Sequence, residues 1–370
     1  IACVIAETIA DAENGAELVE VTIEELPAIV DVQQAAARGA PTISEHAPGN
    51  ITVHHYRGEV DATNQALADS DVVVKGTFKV PRVVGAQMEP RSGIGEYDPK
   101  EERFIVTAGN QGVHRYRDMI ASALKAEPDK VRVICPDVGG GFGSRGHVGP
   151  EYVILAWAAK RLSRPVKWTS TRVEAFISDW QGRDMQMNGE IGLNKDGLIT
   201  AYKLQVLINI GAYTICYAPP ANVSRLITTT YDIPTASLDL QVYLSNTVPV
   251  LPFRAAGRPE THLVLERLID MGARKIGMDR KAVRLKNLIP QHAMPFKTVM
   301  GLTYDVGSYP EALEGVADIM KYDDFEARRT QSNANGKLRG ISLIPFIESP
   351  VGAPFEMGRV EISADGQATI

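Results

Sequence analysis

The sequence predicts an α+β fold that is divided into more than one domain, and three observations support this. The chain has 370 residues, which exceeds the usual size of a single hydrophobic core. Two strand-like runs flank the pair Asp196-Gly197, which is a strong hairpin signal. Amphipathic stretches at 114–125, 150–162 and 260–276 predict helices that pack on the resulting sheets.

The N-terminal part is predicted to form a strand, a helix and a second strand, followed by a linker. Thr8 is the expected N-cap of the helix, which lies between strands at 2–6 and 19–26. Proline, histidine and glycine are frequent at 39–52, as is typical of a connecting segment. Beyond this segment, β-branched and apolar runs predict strands at 71–78, 103–107, 166–169, 188–193 and 198–210.

The C-terminal part is predicted to contain further helices and a hairpin. A short helix at 279–287 follows the long one, and a helix at 309–320 has Ser308 as its expected N-cap. A polar loop at 328–336, which we expect to be disordered, leads to strands that begin at Arg339. Because the chain begins without methionine and ends inside a predicted hairpin, we expect it to be an internal part of a longer polypeptide.

Composition excludes several classes of protein. The net charge of −6, with no long basic run, argues against a nucleic-acid partner. No apolar run is long enough to predict a membrane-spanning helix. The three cysteines are widely separated and match neither a disulfide framework nor a metal-site spacing. We therefore expect a reducing compartment, the cytoplasm.

The glycine loop, residues 139–143, is the most informative local motif. It follows a β-branched run that starts at Val131, and it reads Gly-Gly-Gly-Phe-Gly. Glycine lets a ligand approach the main chain closely, and unpaired N–H groups in such a loop suit anionic oxygens. Residues 141–146 also fit the G-x-G-x-x-G pattern, so an NAD(P)-binding protein is an alternative. Pro150 opposes it, because the helix of a dinucleotide-binding fold begins inside the motif.

Two further segments carry polar groups that can bind an anion. Gln111 lies between a predicted strand and a predicted helix, where an amide and backbone donors can converge. The arginine loop, residues 252–260, carries Arg254 and Arg258 between prolines, and arginine binds phosphate or carboxylate in a bidentate manner. Taken singly, each of these residues is more typical of a solvated surface, as is Arg284 in the short helix.

Taken together and in this order, these segments resemble the molybdenum hydroxylase family, the large subunits of xanthine dehydrogenase, aldehyde oxidase and aerobic carbon monoxide dehydrogenase. Residues 88–91 (Met-Glu-Pro-Arg) and 283–287 (Val-Arg-Leu-Lys-Asn) are further landmarks. The resemblance covers essentially the whole chain and implies domains of mixed sheets and packed helices. They are the end of an α/β hammerhead domain at 1–38, a linker at 39–52, a first molybdopterin-binding domain at 53–289 and the truncated start of a second at 305–370.

The resemblance also implies roles for the site residues. Gln111 is implied to hydrogen-bond near the oxo ligand of molybdenum and Arg254 to face the substrate, so that both count as catalytic. The pterin dithiolene holds the metal, and no protein ligand to the metal is expected. The implied cofactor-binding residues are Gln111, Gly140, Gly141, Phe142, Gly143, Arg254 and Arg284. The implied substrate pocket consists of Ala255, Ala256, Gly257 and Arg258.

The function that the resemblance implies is that of a multi-subunit oxidoreductase. It would hydroxylate an aldehyde or an aromatic N-heterocycle with oxygen from water, using molybdenum and molybdopterin in its cytosine dinucleotide form. Electrons would leave to [2Fe-2S] and FAD centres on an iron–sulfur subunit and an FAD subunit, in a dimer of heterotrimers. The alternative is a non-catalytic fragment that holds part of the fold.

Departures from the family pattern narrow this expectation. Carbon monoxide dehydrogenases carry a copper-binding cysteine where this chain has Ala255, and alanine cannot bind copper. Xanthine dehydrogenases carry a purine-binding glutamate where this chain has Gly146. Neither carbon monoxide nor a purine is therefore expected as the substrate. The base glutamate of the family would lie beyond Ile370, so residues 1–370 alone are expected to be inactive.

Overall fold

Two larger sheets form the frame of the protein in the computed structural model, which describes residues 1–348 and 358–369. The helices of these ranges are α1 (Ile9–Glu17), α2 (Val32–Ala36), α3 (Val60–Ala68), α4 (Val113–Leu124), α5 (Pro150–Leu162), α6 (Arg172–Ser178), α7 (Ala218–Arg225), α8 (Arg258–Ile276), α9 (Arg280–Asn287), α10 (Tyr309–Ile319) and α11 (Phe325–Ala334). The strands are β1 (Ile51–Gly58), β2 (Val72–Val84), β3 (Ser92–Asp98), β4 (Arg103–Thr107), β5 (Val131–Ile134), β6 (Val166–Thr169), β7 (Gln181–Leu193), β8 (Ile199–Gly211), β9 (Ala236–Leu244), β10 (Phe296–Lys297), β11 (Thr303–Tyr304), β12 (Glu361–Ile362) and β13 (Ala368–Thr369).

The larger sheet has the order β1-β9-β8-β7-β2 and carries the main hydrophobic core. Its neighbours are antiparallel except for the parallel pair β8 and β9. Helix α8 packs across β2 and β7. It comes so close at Gly189 that a Cβ there would lie 2.6 Å from Leu268 Cδ1. Leu268 is fully buried, and burying such a side chain contributes about 1.5–3 kcal/mol, so this contact anchors α8 to the sheet.

The smaller sheet has the order β5-β4-β3-β6 and has its own core. Helix α5 lies against β3, and the backbone of Leu155 is only 2.3 Å from the place where a Cβ of Gly95 would be. Strands β4 and β5 are parallel and end in register, with Thr107 opposite Ile134. The loops that follow these two strands therefore leave the sheet at the same edge. One of them carries Gln111 and the other carries the glycine loop.

Most of the predicted elements in the first 300 residues are confirmed. Helices α4, α5, α8 and α9 lie within two residues of their predicted limits, and β4 and β6 match theirs. The hairpin of β7 and β8 turns at Asp196-Gly197, with Gly197 at a φ of 80°. Thr8 caps α1 by accepting a hydrogen bond from Asp11 N. These elements were predictable because their signals are local: a hydrophobic period, a cap or a turn.

The strands predicted at 2–6 and 19–26 are wrong, because neither segment is a strand in the structure. Their apolar side chains are largely in solvent, with Val21, Ile23 and Leu26 exposed by 46%, 67% and 80%. Alternating sequence alone does not make a strand, since the backbone needs a neighbouring strand to complete its hydrogen bonds. No such neighbour pairs with these segments in the part of the chain that is described.

Two C-terminal predictions are also wrong. The loop predicted at 328–336 is largely helical, because α11 continues to Ala334. Arg328 explains the difference, since its guanidinium lies 5.9 Å from the Phe325 ring and donates to the carbonyl of Met320 at 2.9 Å. No strand begins at Arg339 in the described residues up to 348. The hairpin at the end of the chain is confirmed as the short pair β12 and β13, while Ile370 lies outside the described residues.

The segment predicted as a linker is ordered by one buried side chain. Asn50 is fully buried, accepts a hydrogen bond from Ile43 N at 2.8 Å and donates to the carbonyl of Pro41 at 2.9 Å. Just before it, Val32 belongs to a small buried cluster with Tyr243 of β9. The stretch thus packs on the larger sheet. Within the described ranges, no helix combines the length and the apolar composition needed to cross a membrane.

A segment near residue 347 docks on the first turn of α8 through His262. The N–H of Ile347 donates to His262 Nε2 at 3.2 Å, and the Phe346 ring stacks on the imidazole at 4.4 Å. A backbone N–H can only donate, so Nε2 is unprotonated. The other ring nitrogen, Nδ1, lies 2.7 Å from the carbonyl of Arg258 and donates to it. Burial lowers the pKa of His262 to about 4, which keeps the ring neutral.

This docking predicts a loss of stability in mild acid. The unfolded chain binds a proton at His262 near its ordinary pKa of 6.5 and the folded chain only near 4, so stability falls as the pH falls through this window. The full shift corresponds to about 3 kcal/mol. Urea unfolding at pH 7 and pH 4.5 should therefore show a smaller acid-induced loss in His262→Gln than in the wild type. Equal losses in both proteins would contradict the docked neutral ring.

Candidate functional site

Gln111 and the glycine loop meet at the edge of the smaller sheet. The N–H of Gly143 donates to Gln111 Oε1 at 2.8 Å, and Gln111 N donates to the carbonyl of Arg145 at 3.1 Å. Because Gly143 N can only donate, the amide oxygen of Gln111 must face it. The Nε2 group of Gln111 has no partner among the described residues and is exposed, so it remains available as a donor.

The backbone of the glycine loop has an unusual conformation. Gly140, Phe142 and Gly143 have φ values of 115°, 54° and 101°. A Cβ at Gly141 would lie 2.4 Å from Gln111 Cδ, so any larger residue there would push the Gln111 side chain away. The consecutive N–H groups of Gly140, Gly141 and Phe142 have no acceptor within the described part of the chain. Free donors on successive residues form a concavity that suits an anionic group.

The arginine loop lies directly against the glycine loop. Arg254 N donates to the carbonyl of Phe142 at 2.8 Å, and a Cβ at Gly143 would lie 2.5 Å from the carbonyl oxygen of Pro252. Four consecutive residues, 254–257, have φ values of 27°, 65°, 26° and 89°. Three of them are not glycine, and each left-handed residue of that kind costs about 1–2 kcal/mol. Such strain persists only where the surroundings hold it, and it is concentrated at functional sites.

The predicted residues of the arginine loop fall into two groups. Arg254 is exposed, and its guanidinium has no partner among the described residues. Ala255, Ala256 and Gly257 form the loop backbone beside it. Arg258 is 3% exposed and points into the fold, because its Nη1 donates to the carbonyl of Ala255 at 3.2 Å and pairs with Glu348 at 2.7 Å. The structure thus brings Gln111, the glycine loop and Arg254 together. Arg258 is buried beneath the arginine loop and binds its backbone at Ala255.

The structure does not bring Arg284 to this cluster. Its side chain is 1% exposed and pairs with Glu266 at 2.7 Å and with Asp270 at 2.8 Å, both on α8. Burial opposes its charge, but these two carboxylates outweigh burial and raise the pKa of Arg284. Burial raises the pKa of Glu266 to about 7, and Tyr231 donates to the same carboxylate at 2.7 Å. Arg284 therefore fastens α9 to α8, and its donors are not free for a cofactor.

Gln87 and Glu89 support the glycine loop and were not predicted as site residues. Gln87 is buried, and its Nε2 donates to Ser144 Oγ at 2.6 Å and to the carbonyl of Gly141 at 3.2 Å. Glu89 accepts from Gly139 N at 2.7 Å. Arg91 of the landmark at 88–91 is buried and pairs with Glu151 at 2.8 Å, which gives this residue a structural role. The only signal that could have found Gln87 is its position next to this landmark.

Three titratable side chains behind the glycine loop, those of His147, Tyr116 and Tyr152, are uncharged at neutral pH. Burial, assisted by Arg115, lowers the pKa of His147 to about 4. Burial raises the pKa of Tyr116 and of Tyr152, so both phenols stay protonated. The Tyr116 hydroxyl donates to the carbonyl of His147 at 2.9 Å and orders the end of the loop. These residues shape the site, and the charged side chain of Arg254 is exposed beside it.

The G-x-G-x-x-G pattern at 141–146 does not open a dinucleotide-binding helix. Residues 144–146 form a single 3₁₀ turn, and α5 begins only at Pro150. The strand after α5 is β6, which lies at the far edge of the sheet and pairs with β3. The pyrophosphate of a dinucleotide needs the helix N-terminus at the motif itself, so this geometry does not favour the NAD(P) alternative.

Comparison with known proteins matches both the sequence and the fold. A model of the molybdopterin cofactor-binding domain matches residues 43–288. The carbon monoxide dehydrogenase large chain of Hydrogenophaga pseudoflava is 30% identical over 96% of this chain and 47% of its own length. The nicotine 6-hydroxylase large subunit of Paenarthrobacter nicotinovorans is 28% identical over 94% and 42%. The structure of quinoline 2-oxidoreductase from Pseudomonas putida 86 superimposes with a TM-score of 0.84 at 27% identity, covering 90% of this chain and 42% of that one.

The glycine loop follows the smaller sheet, the arginine loop lies against it, and the free backbone donors suit an anionic group. The matching domain model extends over well more than half of the chain. The chain belongs to the molybdenum hydroxylase family, as the order of its motifs predicted. It spans less than half the length of each of the three relatives just described.

Proposed function

We propose that this chain is the molybdopterin-binding part of an oxidoreductase that hydroxylates an aldehyde or an aromatic N-heterocycle with oxygen from water. The observation that carries the proposal is the row of free N–H groups at Gly140, Gly141 and Phe142, set beside the amide of Gln111. The names of two similar proteins, a nicotine 6-hydroxylase and a quinoline 2-oxidoreductase, support a heterocyclic substrate.

The residues present fit a molybdenum–pterin group. A Cβ at Gly141 would displace the Gln111 side chain, and the free backbone donors of the glycine loop suit the anionic sulfur and oxygen atoms of such a group. When bound, the group supplies the two-electron redox chemistry. Gln111, whose orientation is fixed by Gly143, would help to hold the group by donating from Nε2. Arg254 orients the substrate and stabilises negative charge that develops on it.

The substrate proposal depends in part on Ala255. This residue lies in the arginine loop beside Arg254, and its methyl group cannot hold the copper ion used by carbon monoxide dehydrogenases. The 30% identity to a carbon monoxide dehydrogenase large chain therefore supports the shared cofactor and not the shared substrate. Gly146 carries no side chain with which to grip a purine.

Partners and location complete the proposal. Similar proteins are called a large chain and a large subunit, which supports an assembly with an iron–sulfur subunit, an FAD subunit and two such heterotrimers. We propose the cytosine dinucleotide form of the pterin, and a cytoplasmic location that is supported by the three unpaired cysteines. By the resemblance, the base glutamate lies outside residues 1–370, so we propose that these residues alone turn over no substrate.

The test uses the whole protein with its native partners. Metal analysis and the fluorescence of the oxidised pterin should show one molybdenum and one pterin per chain, and turnover in ¹⁸O-labelled water should place the label in a hydroxylated aldehyde or N-heterocycle. Replacing labelled water by labelled dioxygen is the control and should give unlabelled product. A preparation that binds no molybdenum, or a label that comes from dioxygen, would contradict the proposal.

A further inference from the structure

The strained conformation of residues 254–257 is held through their carbonyl groups. The carbonyl of Arg254 accepts from Arg183 Nη2 at 3.0 Å. The carbonyl of Ala256 accepts from Asn222 Nδ2 at 2.8 Å, and that of Ala255 from Arg258 Nη1 at 3.2 Å. Three successive carbonyls thus each accept a hydrogen bond from a side chain that lies outside residues 254–257.

Arg183 makes the most extensive of these contacts. Besides the carbonyl of Arg254, its guanidinium pairs with Glu260 Oε1 at 2.8 Å, and its central carbon lies 5.5 Å from the centre of the Phe253 ring. It therefore contacts the residue before Arg254, Arg254 itself and the first turn of α8. A planar guanidinium can bind a carboxylate with one nitrogen and a carbonyl with another, as it does here. The Arg183 side chain is only 13% exposed.

The backbone of β7 is itself strained where Arg183 stands. Arg183 and Asp184 have φ values of 69° and 68° within β7, although the strand keeps its register with β2 on both sides of them. The cross-strand partner of Arg183 is Arg82 of β2, which binds the neighbouring Asp184 at 2.9 Å. Backbone strain at a residue that contacts a functional loop is an independent sign that the side chain is held in place for a purpose.

We propose that Arg183 is a positioning residue, which sets the place of the Arg254 side chain by holding the carbonyl of Arg254 and the ring of Phe253. The effect of Arg183 on kcat/KM rests on the proposed function, in which Arg254 faces the substrate. The effect of Arg183 on the conformation of the arginine loop does not rest on it, because the contacts exist in the protein without any ligand. The buried Glu260 carboxylate requires a positive charge beside it, which lysine can also supply. The arginine loop requires in addition the second nitrogen of a guanidinium, which lysine lacks.

The variant Arg183→Lys, made in the whole protein, separates the charge beside Glu260 from the contacts that hold the arginine loop. The lysine keeps a positive charge beside Glu260, but a single ammonium cannot also bind the carbonyl of Arg254 and stack on Phe253. The matched control is Arg82→Lys, because Arg82 is a similarly buried arginine in register on the adjacent strand, and none of its hydrogen bonds involves the arginine loop. Hydrogen exchange of residues 254–257 should speed up about tenfold or more in Arg183→Lys and stay unchanged in Arg82→Lys. Unchanged exchange in Arg183→Lys would overturn the proposal.

A double-mutant cycle tests whether Arg183 acts through Arg254. In the molybdenum-loaded enzyme, Arg183→Met should lower kcat/KM about tenfold or more, and the same change made in Arg254→Met should lower it little further. Additive losses would overturn the proposal, because they would show that Arg183 acts independently of Arg254. If the whole protein carries no molybdenum, the proposed function fails, and the exchange measurement still decides the role of Arg183.

Discussion

Replacing Arg254 by methionine is expected to lower kcat/KM about a hundredfold or more without loss of molybdenum. The guanidinium of Arg254 is exposed and has no partner among the described residues, so its charge is available to a substrate. Its backbone is tied to the carbonyl of Phe142 at 2.8 Å, which keeps the side chain beside the glycine loop. Removing a preorganised donor from developing negative charge typically costs about 2.7–4 kcal/mol, which corresponds to this loss.

A lysine at position 254 tests whether a positive charge alone is sufficient. Arg254→Lys should recover only part of the activity, because a point charge does not reproduce a bidentate fork. The matched control is Arg267→Met, which removes an exposed arginine from the outer face of α8 and should leave kcat/KM unchanged. Steady-state kinetics and metal analysis on the same preparations give the result. Equal kinetics in Arg254→Met and wild type would place the substrate elsewhere.

Gly143→Ala is expected to abolish most of the cofactor binding. A Cβ at this residue would lie 2.5 Å from the carbonyl oxygen of Pro252, and the φ of 101° is strained for alanine. The backbone must shift, and the shift would break the hydrogen bonds that join Gly143 to Gln111 and Phe142 to Arg254. Molybdenum and pterin contents should fall to about a tenth or less, because the row of free donors no longer keeps its shape.

Gly146→Ala provides the control in the same loop region. An added Cβ there meets nothing within 4 Å, and Gly146 has no positive φ, so alanine should fit without strain. Metal analysis, pterin fluorescence and thermal unfolding of both variants separate loss of the cofactor from loss of the fold. Full molybdenum content in a folded Gly143→Ala would show that the glycine loop does not hold the cofactor.

Local signals located the segments that form the site, because the glycine loop and Gln111 each follow a predicted strand. Their roles came from the family resemblance, and the structure adds that the two strands are parallel neighbours whose loops leave the sheet at the same edge. Gln87, Arg183 and Asn222 were not predicted, because each acts on a loop 34 or more residues away in sequence. A single sequence without contacts gives no reason to prefer these polar residues over others.

Arg284 was implied to bind the cofactor, but the structure places it in a buried ion-pair network. Its motif suggested a ligand, but the sequence does not reveal that an arginine will be buried. The clue was available on α8, where Glu266 and Asp270 are four residues apart and therefore lie on one face of the helix. Two carboxylates on the buried face of a helix require a buried cation, and Arg284 supplies it.

The arginine loop is held through its backbone carbonyls, and this affects which substitutions the loop can accept during evolution. Its conformation depends on carbonyl oxygens that accept from Arg183, Arg258 and Asn222, and every type of residue has the same carbonyl. The side chain at position 255 contributes none of these bonds, so another unbranched residue in place of alanine would break none of them. A single codon can then change the side chain beside Arg254, while the backbone bonds that hold the loop stay as they are. New chemistry can evolve here by substitution without refolding.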